Sequence, residues 1–218
     1  MSNQKSVFLV LGATGQTGQH FVSLALQAGH TVRVLVRSPD KLEAKGANLE
    51  LRQGSIDEFE KIEELLPGTD YVVAMLGDAH LQKHHNICTD LVKQLIPAMR
   101  KHSVKRFLYQ AGGFTKPYDK PLPFMSWILK NTIARYGGLL GQHRDNEAVL
   151  KHLVEEASDI AWIVHRASII SNGPTKGILA RSTSKFNLVT FVDCATYNYQ
   201  LLSDESAVHT YDLSHYVR

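Results

Sequence analysis

Short apolar runs alternate with amphipathic stretches along most of this chain. The apolar runs predict strands, and the stretches between them, where apolar residues recur every three or four positions, predict helices. The predicted strands are 6–11, 31–36, 48–52, 70–76, 105–111 and 160–166, and the predicted helices are 16–28, 39–45, 57–66, 80–102 and 141–157. Strands that alternate with helices are typical of a parallel sheet with helices on both faces. The pattern therefore predicts an α/β, doubly wound, mainly parallel sheet, with residues 1–218 forming a single domain.

One segment, 113–140, interrupts this alternation after the fifth predicted strand. It is rich in proline and aromatic residues, including Phe114 and Trp127. Ligands of open α/β sheets bind outside the carboxyl ends of the strands. We therefore expect a small insertion on the substrate side, acting as a lid, as a packing element that covers the sheet, or as both.

The pattern weakens after residue 170. Residues 178–202 are interpreted as irregular or β-like, with Tyr197 and Tyr199 available to line a pocket. Residues 211–218 resemble the opening of a helix, and the chain ends there abruptly. We therefore expect the chain to be truncated or to be a domain of a longer protein.

Composition excludes several classes of protein. The 218 residues are 44% hydrophobic and 21% charged, as in ordinary globular proteins. The formal net charge of +3 is small, and the basic clusters lie near predicted helix ends, so we expect no nucleic-acid partner. No apolar run reaches the length of a membrane span, and none has the layout of a signal peptide. Cys88 and Cys194 form no disulfide framework; we expect two buried thiols and a reducing, cytoplasmic location.

A glycine-rich turn follows the first predicted strand. Gly12, Gly15 and Gly18 have the spacing G-x-x-G-x-x-G, and a predicted helix begins directly after the turn. The free N–H groups and the dipole of a helix N-terminus attract anions, and missing side chains allow a diphosphate to approach the backbone. A second β-like run closes a βαβ unit of about 30 residues. The turn therefore predicts a dinucleotide site.

The end of the second predicted strand indicates which dinucleotide is bound. An acidic residue there selects NAD, whereas an arginine accommodates the 2′-phosphate of NADP. This chain has Arg37 followed by Ser38, and Lys41 adds a further positive charge. We therefore favour NADP(H) over NAD(H). Ser38 can also cap a helix that has Pro39 in its first turn, and Arg37 can be a solvated surface residue.

Six segments stand out along the chain. They read GATGQTG in the first turn, VRSP at the end of strand two, MLG at the end of strand four, QAGG at the end of strand five, NEAVL in the later helix and VHRAS at the end of strand six. Together they resemble the atypical short-chain dehydrogenases/reductases, and within them the NmrA-like proteins and the biliverdin-IXβ (flavin) reductase type. The resemblance covers nearly the whole chain. It implies a Rossmann-like NAD(P)-binding fold.

The resemblance also implies roles for individual residues. Those expected to bind the cofactor are Gly12, Thr14, Gly15, Gln16 and Thr17 at the diphosphate, Arg37 and Ser38 at the 2′-phosphate, Leu76 and Gly77 at the ribose, and Ala111, Gly112, Ala167, Ser168 and Ile169 beside the nicotinamide. Phe114 and His143 match positions of the substrate pocket, to which we add Trp127 from the insertion. The flavin-reductase branch has a serine after strand five, and this chain has none there.

The usual catalytic pair of short-chain dehydrogenases is absent. That pair is a tyrosine followed four residues later by a lysine, which lowers the pKa of the phenol. None of the eight tyrosines has a lysine at this spacing. Catalytic residues therefore cannot be assigned from this motif. A flavin, quinone or tetrapyrrole acceptor could still be reduced, because it can take its proton from solvent.

Two other groups of residues were weighed as sites. His80, His84 and His85 lack the glutamate and third ligand of a zinc site, so we interpret them as a solvated helix face and predict no metal. Asp159, His165 and Ser168 could suggest a triad, but His165 falls within a predicted buried strand and is better explained as a core histidine.

Two functions remain open from the sequence. The first is an NADPH-dependent oxidoreductase that transfers a hydride to a planar conjugated small molecule. The second is a non-catalytic, redox-sensing NADP(H)-binding protein that regulates a protein partner, as the resemblance to NmrA-like proteins implies. Neither reading determines the substrate or the oligomeric state.

Overall fold

The computed structural model describes residues 5–78, 80–134, 139–185 and 187–217. The strands are β1 (Val7–Leu11), β2 (Thr31–Val36), β3 (Leu49–Gln53), β4 (Tyr71–Ala74), β5 (Arg106–Gly112), β6 (Ala161–Ala167), β7 (Ile169–Ser171), β8 (Leu179–Ser182), β9 (Leu188–Thr190) and β10 (Tyr211–Tyr216). The α-helices are α1 (Gln16–Gln27), α2 (Phe59–Glu63), α3 (Ile87–Lys101), α4 (Phe124–Leu129), α5 (Leu140–Glu156) and α6 (Phe191–Leu201).

Eight of these strands form one sheet in the order β3-β2-β1-β4-β5-β6-β10-β8. All neighbouring pairs are parallel except β10 and β8, which are antiparallel. β7 and β9 pair separately as a small parallel sheet. The chain runs outward from β1 to β3 and then crosses back to β4, so the order reverses between β1 and β4. This is the Rossmann-like arrangement that the alternating pattern predicted, and its ligand crevice opens at the carboxyl edge beside β1 and β4.

Helices cover both faces of the sheet. α1 and α6 pack on one face, where Phe21, Val22 and Cys194 are fully buried. α2, α3 and α5 pack on the other, with Leu95 and Leu153 among their fully buried side chains. The central strands are apolar on both faces for this reason, as expected for buried parallel strands.

Two expectations for the last 40 residues were wrong. Residues 191–201 form helix α6 instead of an irregular or β-like segment. Thr190 caps this helix by accepting a hydrogen bond from the N–H of Asp193, and the spacing of these two residues is that of a capping box. Residues 211–216 form strand β10 instead of a helix, because they pair with β6 on one side and β8 on the other.

Two tyrosines of α6 contact residues of other elements. Tyr197 is buried and packs edge-on against His165, with 4.9 Å between the ring centroids. The hydroxyl of Tyr199 lies 2.8 Å from Nε2 of His30. β-branched and aromatic residues favour strands on propensity, and here the packing of α6 against α1 outweighs that preference.

Three predicted helices are shorter in the structure. The predicted helix 39–45 is one 3₁₀ turn, Pro39–Lys41, and the third predicted helix is reduced to α2. The predicted helix 80–102 begins only at Ile87, after a separate 3₁₀ turn at Leu81–Lys83. The cause is a carboxylate from elsewhere in the chain: Asp145 of α5 accepts hydrogen bonds from the N–H groups of Cys88 and Thr89, which fixes the start of α3.

The insertion after β5 contains α4 and a π-helical turn at Lys130–Ala134. Part of it, 135–138, lies outside the described residues. Across the described part of the chain, no helix is both long and apolar enough to cross a membrane.

Candidate functional site

The glycine turn lies between the carboxyl end of β1 and the start of α1. Gly12 has a φ of +88°, a conformation that disfavours side chains. A Cβ on Gly12 would lie 2.3 Å from the carbonyl oxygen of Met75, and a Cβ on Gly18 would lie 2.1 Å from the carbonyl oxygen of Gly12. These two glycines therefore allow close packing of the turn against β4 and of α1 against the turn.

Gly15 has a different environment from the other two glycines. It is exposed, and a Cβ on it would have one neighbour, the carbonyl oxygen of Gly12 at 3.3 Å. Gly15 is also the N-cap of α1, so no side chain caps the helix, and no acidic residue lies in its first turn. The N–H groups of Gln16, Thr17 and Gly18 therefore have no partner within the helix. This arrangement fits the diphosphate of a dinucleotide.

The remaining predicted diphosphate residues surround the same turn. Thr14 is half-buried, Gln16 is exposed, and Thr17 is 5% exposed on the inner side of α1. The side chain of Thr17 points into the protein, so the structure offers its backbone N–H to an anion rather than a freely accessible hydroxyl.

Arg37 and Ser38 follow β2 at the same edge of the sheet. Arg37 is exposed and borders a cavity of about 410 Å³ that Gln53, Gly54, Ser55, Glu58 and Lys61 also line. Within the described residues, the guanidinium of Arg37 has no hydrogen-bond or ion-pair partner. Ser38 takes the N-cap position before Pro39, but its hydroxyl makes no capping bond and is available to another acceptor.

The same cavity contains an ion pair that the sequence reasoning did not find. Nζ of Lys61, within α2, lies 2.5 Å from Oε1 of Glu58, the residue that precedes this helix. Glu58 also accepts a hydrogen bond from the N–H of Ser55. These contacts lower the pKa of Glu58, and the bond to Lys61 is the largest cause. Lys61 therefore supplies a second cation beside the cavity that Arg37 borders. The two residues are separated by 24 positions in the sequence, so no local motif indicates that they are neighbours.

Leu76 and Gly77 lie just beyond β4, next to the glycine turn. Leu76 is half-buried and Gly77 is exposed. A Cβ on Gly77 would lie 2.3 Å from Nε2 of Gln142, at the start of α5. Gln142 therefore lies beside the expected position of the ribose. No motif marked this residue, because its proximity to Gly77 depends on how α5 packs against the loop after β4.

His143 lies beside the carboxyl end of β5. Its Cε1 would be 2.8 Å from a Cβ on Gly112, and its ring packs edge-on against Phe114 with 5.9 Å between centroids. His143 is 4% exposed, and neither ring nitrogen has a hydrogen-bond partner among the described residues. Burial is the main cause that lowers its pKa to about 4, and the nearby ammonium of Lys130 acts in the same direction. The imidazole is therefore neutral at physiological pH.

The neighbouring residues of β5 and β6 complete this part of the site. Ala111 and Ala167 are each 2% exposed and lie on adjacent paired strands. Ser168 is 6% exposed and its hydroxyl lies 3.5 Å from the backbone nitrogen of Asn187, whereas Ile169 is 43% exposed at the start of β7. Thr115, which follows Phe114, is fully buried, and its hydroxyl has no described partner.

The third predicted pocket residue, Trp127, lies on α4. It is 54% exposed and stacks on Phe124, with 6.3 Å between the ring centroids. Phe114 and His143 are thus in contact, whereas Trp127 lies on an exposed face of the insertion.

The residues that could suggest a catalytic triad, among them His165 and Asp159, have other hydrogen-bond partners within the protein. His165 is buried, with Nδ1 2.6 Å from the amide oxygen of Asn198 and Nε2 2.9 Å from the hydroxyl of Ser214. Burial lowers its pKa to about 4. Asp159 is an exposed partner of Arg100. In the described parts of the chain, no three histidine, cysteine, aspartate or glutamate side chains are placed to hold a metal ion.

Another cavity lined by described residues lies at the opposite edge of the sheet. It measures about 590 Å³ and borders the amino ends of β1, β4 and β5. Its cation Arg106 is bound by Glu205 and by the carbonyl of Leu202. His30 accepts a hydrogen bond from the N–H of Ser6 and contacts Tyr199. These groups are satisfied within the protein, and the cavity lies far from the glycine turn.

Comparison with protein families identifies one match. The model of a family described as NAD(P)H-binding matches residues 12–204, which is most of the chain. The matched range begins at the first glycine of the turn and ends after α6.

Curated relatives match only parts of the chain. The bifunctional pinoresinol-lariciresinol reductase 2 of Linum usitatissimum is 30% identical over 119 residues, covering 50% of this chain and 35% of that protein. The pinoresinol reductase 1 of Arabidopsis thaliana is 31% identical over 124 residues, covering 52% of this chain and 38% of that protein. The chain thus matches little more than a third of the length of these relatives.

Solved structures resemble the whole chain. A putative epimerase from Bacteroides thetaiotaomicron has a TM-score of 0.80 at 15% identity, covering 99% of both chains. ChuY, an anaerobilin reductase from Escherichia coli O157:H7, has a TM-score of 0.77 at 14% identity, covering 96% of both chains. At these identities the likeness establishes the fold and confirms the Rossmann-like arrangement.

Proposed function

Because the chain belongs to the NAD(P)H-binding family, we propose that it is an NADPH-dependent reductase of the atypical short-chain type, acting on a planar conjugated small molecule. The candidate substrates are a flavin, a quinone or a tetrapyrrole-like compound. NADPH supplies a hydride when it is bound. The residues of this chain hold the cofactor, orient the acceptor and limit the access of water.

The carboxyl edge of the sheet fits NADPH at three points. The uncapped start of α1 and the open face of Gly15 suit the diphosphate. The unpaired guanidinium of Arg37, with Lys61 across the same cavity, suits the 2′-phosphate. Gly112 and Ala167 pair at the carboxyl ends of β5 and β6, beside the expected position of the nicotinamide.

The observation that carries the reductase proposal is that both ring nitrogens of the buried His143 lack hydrogen-bond partners among the described residues. A buried side chain whose two polar atoms both lack partners is costly to the fold and calls for an explanation. His143 lies next to Gly112, at the site proposed for the nicotinamide. We infer that its unpaired nitrogens are reserved for a polar group of the acceptor.

The low pKa of His143 indicates that it orients the acceptor as a neutral imidazole. A neutral imidazole offers one N–H donor and one acceptor nitrogen, so it can orient a carbonyl oxygen or a ring nitrogen. It does not carry the extra proton of an imidazolium at neutral pH. The proton that accompanies hydride transfer therefore reaches the acceptor from water, which suits a flavin, quinone or tetrapyrrole.

The names of relatives support this assignment, because curated proteins that match parts of the chain are named as reductases.

We propose a cytoplasmic location for the protein. The cysteines at 88 and 194 are both buried and free, which fits a reducing environment. We also propose that segment 113–140, within a single domain over residues 1–218, covers the acceptor as a lid.

Binding and turnover test the proposal directly. Calorimetry with NADPH and NADH should show tighter binding of NADPH. Absorbance at the nicotinamide band should then report oxidation of NADPH by flavins, quinones and linear tetrapyrroles, faster than without protein. His143→Leu should retain NADPH binding and lose most of the turnover. If no acceptor in the panel is reduced by a protein that binds NADPH, the reductase proposal fails.

A second candidate is a non-catalytic NADP(H)-responsive regulator of a protein partner. The observation that favours it is the exposed stacked pair Phe124 and Trp127, which offers an apolar surface on the insertion. For this function the partner's affinity must differ between the NADP⁺-bound and NADPH-bound protein. A protein that binds both forms, reduces nothing and shows such a difference would support the regulator.

A further inference from the structure

The insertion after β5 consists of two limbs in the described residues. The first limb, 113–120, leaves β5 and carries Phe114. The second limb, 121–134, contains α4 and the π-helical turn that begins at Lys130. Both limbs lie on the side of the sheet that α5 covers, because both contact side chains of that helix.

One carboxylate of α5 contacts both limbs. Oε1 of Glu147 accepts a hydrogen bond from the backbone N–H of Lys116 in the first limb, at 2.9 Å. The same oxygen is paired with the ammonium of Lys130 in the second limb. The side chain of Lys130 is 14% exposed and that of Glu147 is 29% exposed, so water screens this pair less than a surface ion pair.

The first limb has other attachments besides Glu147. Arg166 donates a hydrogen bond to the carbonyl of Thr115 at 2.9 Å. The hydroxyl of Tyr118 donates to Glu155 of α5, and the hydroxyl of Tyr211 donates to Asp119. The second limb is joined to α5 by the ion pair of Lys130 with Glu147, and its π-helical turn also packs near that helix. Loss of that pair should therefore affect the second limb more than the first.

Glu147 is one helical turn from His143 on α5, so the two side chains lie on the same face of the helix. Lys130 is close enough to His143 to affect its ionisation, and Glu147 acts in the opposite sense. The point at which the two limbs meet is thus next to the unpaired imidazole of the proposed acceptor pocket.

We propose that Glu147 is a positioning residue, which joins the two limbs of the insertion and holds the second limb over the pocket at His143. This inference deepens the proposed function and rests on it for the identity of the pocket. Glu147 does not touch the reacting atoms. It determines how the acceptor pocket is covered, through Lys130.

Amide hydrogen exchange of the full chain tests the attachment without any acceptor. Glu147→Gln keeps an acceptor for the N–H of Lys116 but loses the ion pair, and Lys130→Gln loses the pair from the other side. Both should make exchange in peptides from 121–134 roughly ten-fold faster. Glu155→Gln is the matched control, because it removes the same charge from the same helix at a residue that accepts a hydrogen bond from Tyr118 of the first limb.

Access to His143 gives a second readout, which is independent of the amide exchange rates. Diethyl pyrocarbonate modifies neutral imidazoles, and peptide mapping locates the modified histidine. Modification of His143 should be faster in Glu147→Gln and Lys130→Gln than in the wild type and in Glu155→Gln. The Kd for NADPH should be unchanged in all three, because none of these residues is among those expected to bind the cofactor.

Two results would overturn the proposal. The first is an exchange rate of 121–134 in Glu147→Gln equal to that of the wild type. The second is an equal increase in Glu155→Gln, which would indicate a general effect of charge on α5. Where an acceptor is turned over, the acceptor KM should rise about five-fold or more in Glu147→Gln. If nothing is turned over, the proposed function fails, and the exchange and modification results still decide the role of Glu147.

Discussion

The imidazole of His143 lies directly against the backbone of Gly112, so closely that a Cβ on Gly112 would come within 2.8 Å of Cε1. This relationship joins the carboxyl end of β5 to the first turns of α5. It also explains why a residue without a side chain ends β5, in the place where the flavin-reductase branch has a hydroxyl nearby. A glycine at position 112 allows the imidazole of His143 to pack against the strand, and it provides no side-chain hydrogen-bond donor there.

Replacement of Gly112 by alanine should displace the imidazole. The added methyl group cannot fit unless His143 moves, and overpacking of this kind costs about 1–3 kcal/mol of unfolding free energy. Urea unfolding measures the loss, and NADPH turnover should fall with it. Gly46→Ala is the control, because a Cβ there has no neighbour within 4 Å. Equal stability of the two variants would show that the contact is not tight in solution.

Replacement of His143 by leucine should stabilise the protein. The wild type buries two unpaired nitrogens, and removing them should raise the unfolding free energy at pH 7 by about 1 kcal/mol. Activity should fall in the same variant, since the acceptor loses its polar partner. His165→Leu is the matched control: it leaves Asn198 and Ser214 without their partner and should cost about 2–4 kcal/mol. Equal destabilisation of both variants would contradict the unpaired state of His143.

The stability of the protein should depend less on pH in His143→Leu than in the wild type. Burial lowers the pKa of His143 and of His165 to about 4 in the folded protein, whereas the unfolded chain takes up these protons near 6.5. The unfolded state therefore binds more protons between pH 6.5 and 4, and stability falls as the pH falls through this range. Each histidine should contribute on the order of 3 kcal/mol to that fall. Chemical unfolding of His143→Leu at several pH values should show a smaller fall than the wild type.

The sheet could be predicted from the sequence because its central strands are continuous apolar runs, buried on both faces. The boundaries of β1, β2 and β5 agree with the predicted strands to within one residue. The two errors at the end of the chain have a common cause. α6 and β10 depend on partners distant in sequence, α1 for the helix and β6 for the strand, and a local pattern does not contain those contacts.

The residues of the candidate site also fall into two groups, those that the local sequence indicates and those that only the packing of helices brings near. Gly12, Gly15 and Arg37 follow strands at fixed spacing, so local sequence sufficed to propose them. Gln142 and Lys61 come near the proposed cofactor only because α5 and α2 pack where they do. The capping-box spacing of Thr190 and Asp193 was a local signal that could have identified α6.

The glycines of the turn should respond differently to alanine. Gly15→Ala adds a methyl group on the open side, with its nearest neighbour at 3.3 Å, so stability should change by less than about 1 kcal/mol. NADPH affinity should still fall roughly ten-fold or more, because the methyl group lies where the diphosphate must approach. Gly18→Ala places a Cβ 2.1 Å from the carbonyl oxygen of Gly12 and should destabilise the fold itself. Calorimetry and thermal unfolding separate the two effects, and a Gly15→Ala protein with unchanged affinity would contradict the diphosphate site.

Asp145 should be among the most important side chains for stability. It is fully buried on α5 and accepts hydrogen bonds from the backbone of Cys88 and Thr89 and from the side chain of Gln82. Asp145→Ala leaves these donors unpaired at the start of α3 and should cost about 3–5 kcal/mol of unfolding free energy. Asp159→Ala removes an exposed ion pair with Arg100 and should cost far less. Urea unfolding compares the two, and similar losses would show that the cap contributes little.

Arg37 should determine the choice between the two nicotinamide dinucleotides. Its guanidinium is exposed, has no partner among the described residues and borders the cavity at the end of β2. Arg37→Glu removes the donors for a 2′-phosphate and places a carboxylate where a ribose 2′-hydroxyl could donate to it. The Kd for NADPH should rise by about 10- to 100-fold, which corresponds to the loss of one charge-assisted hydrogen-bonded contact, while the Kd for NADH should stay constant or fall. Arg144→Glu is the control, because it makes the same change at an exposed position on α5. An equal loss of affinity for both dinucleotides in Arg37→Glu would show that this side chain does not contact the 2′-phosphate.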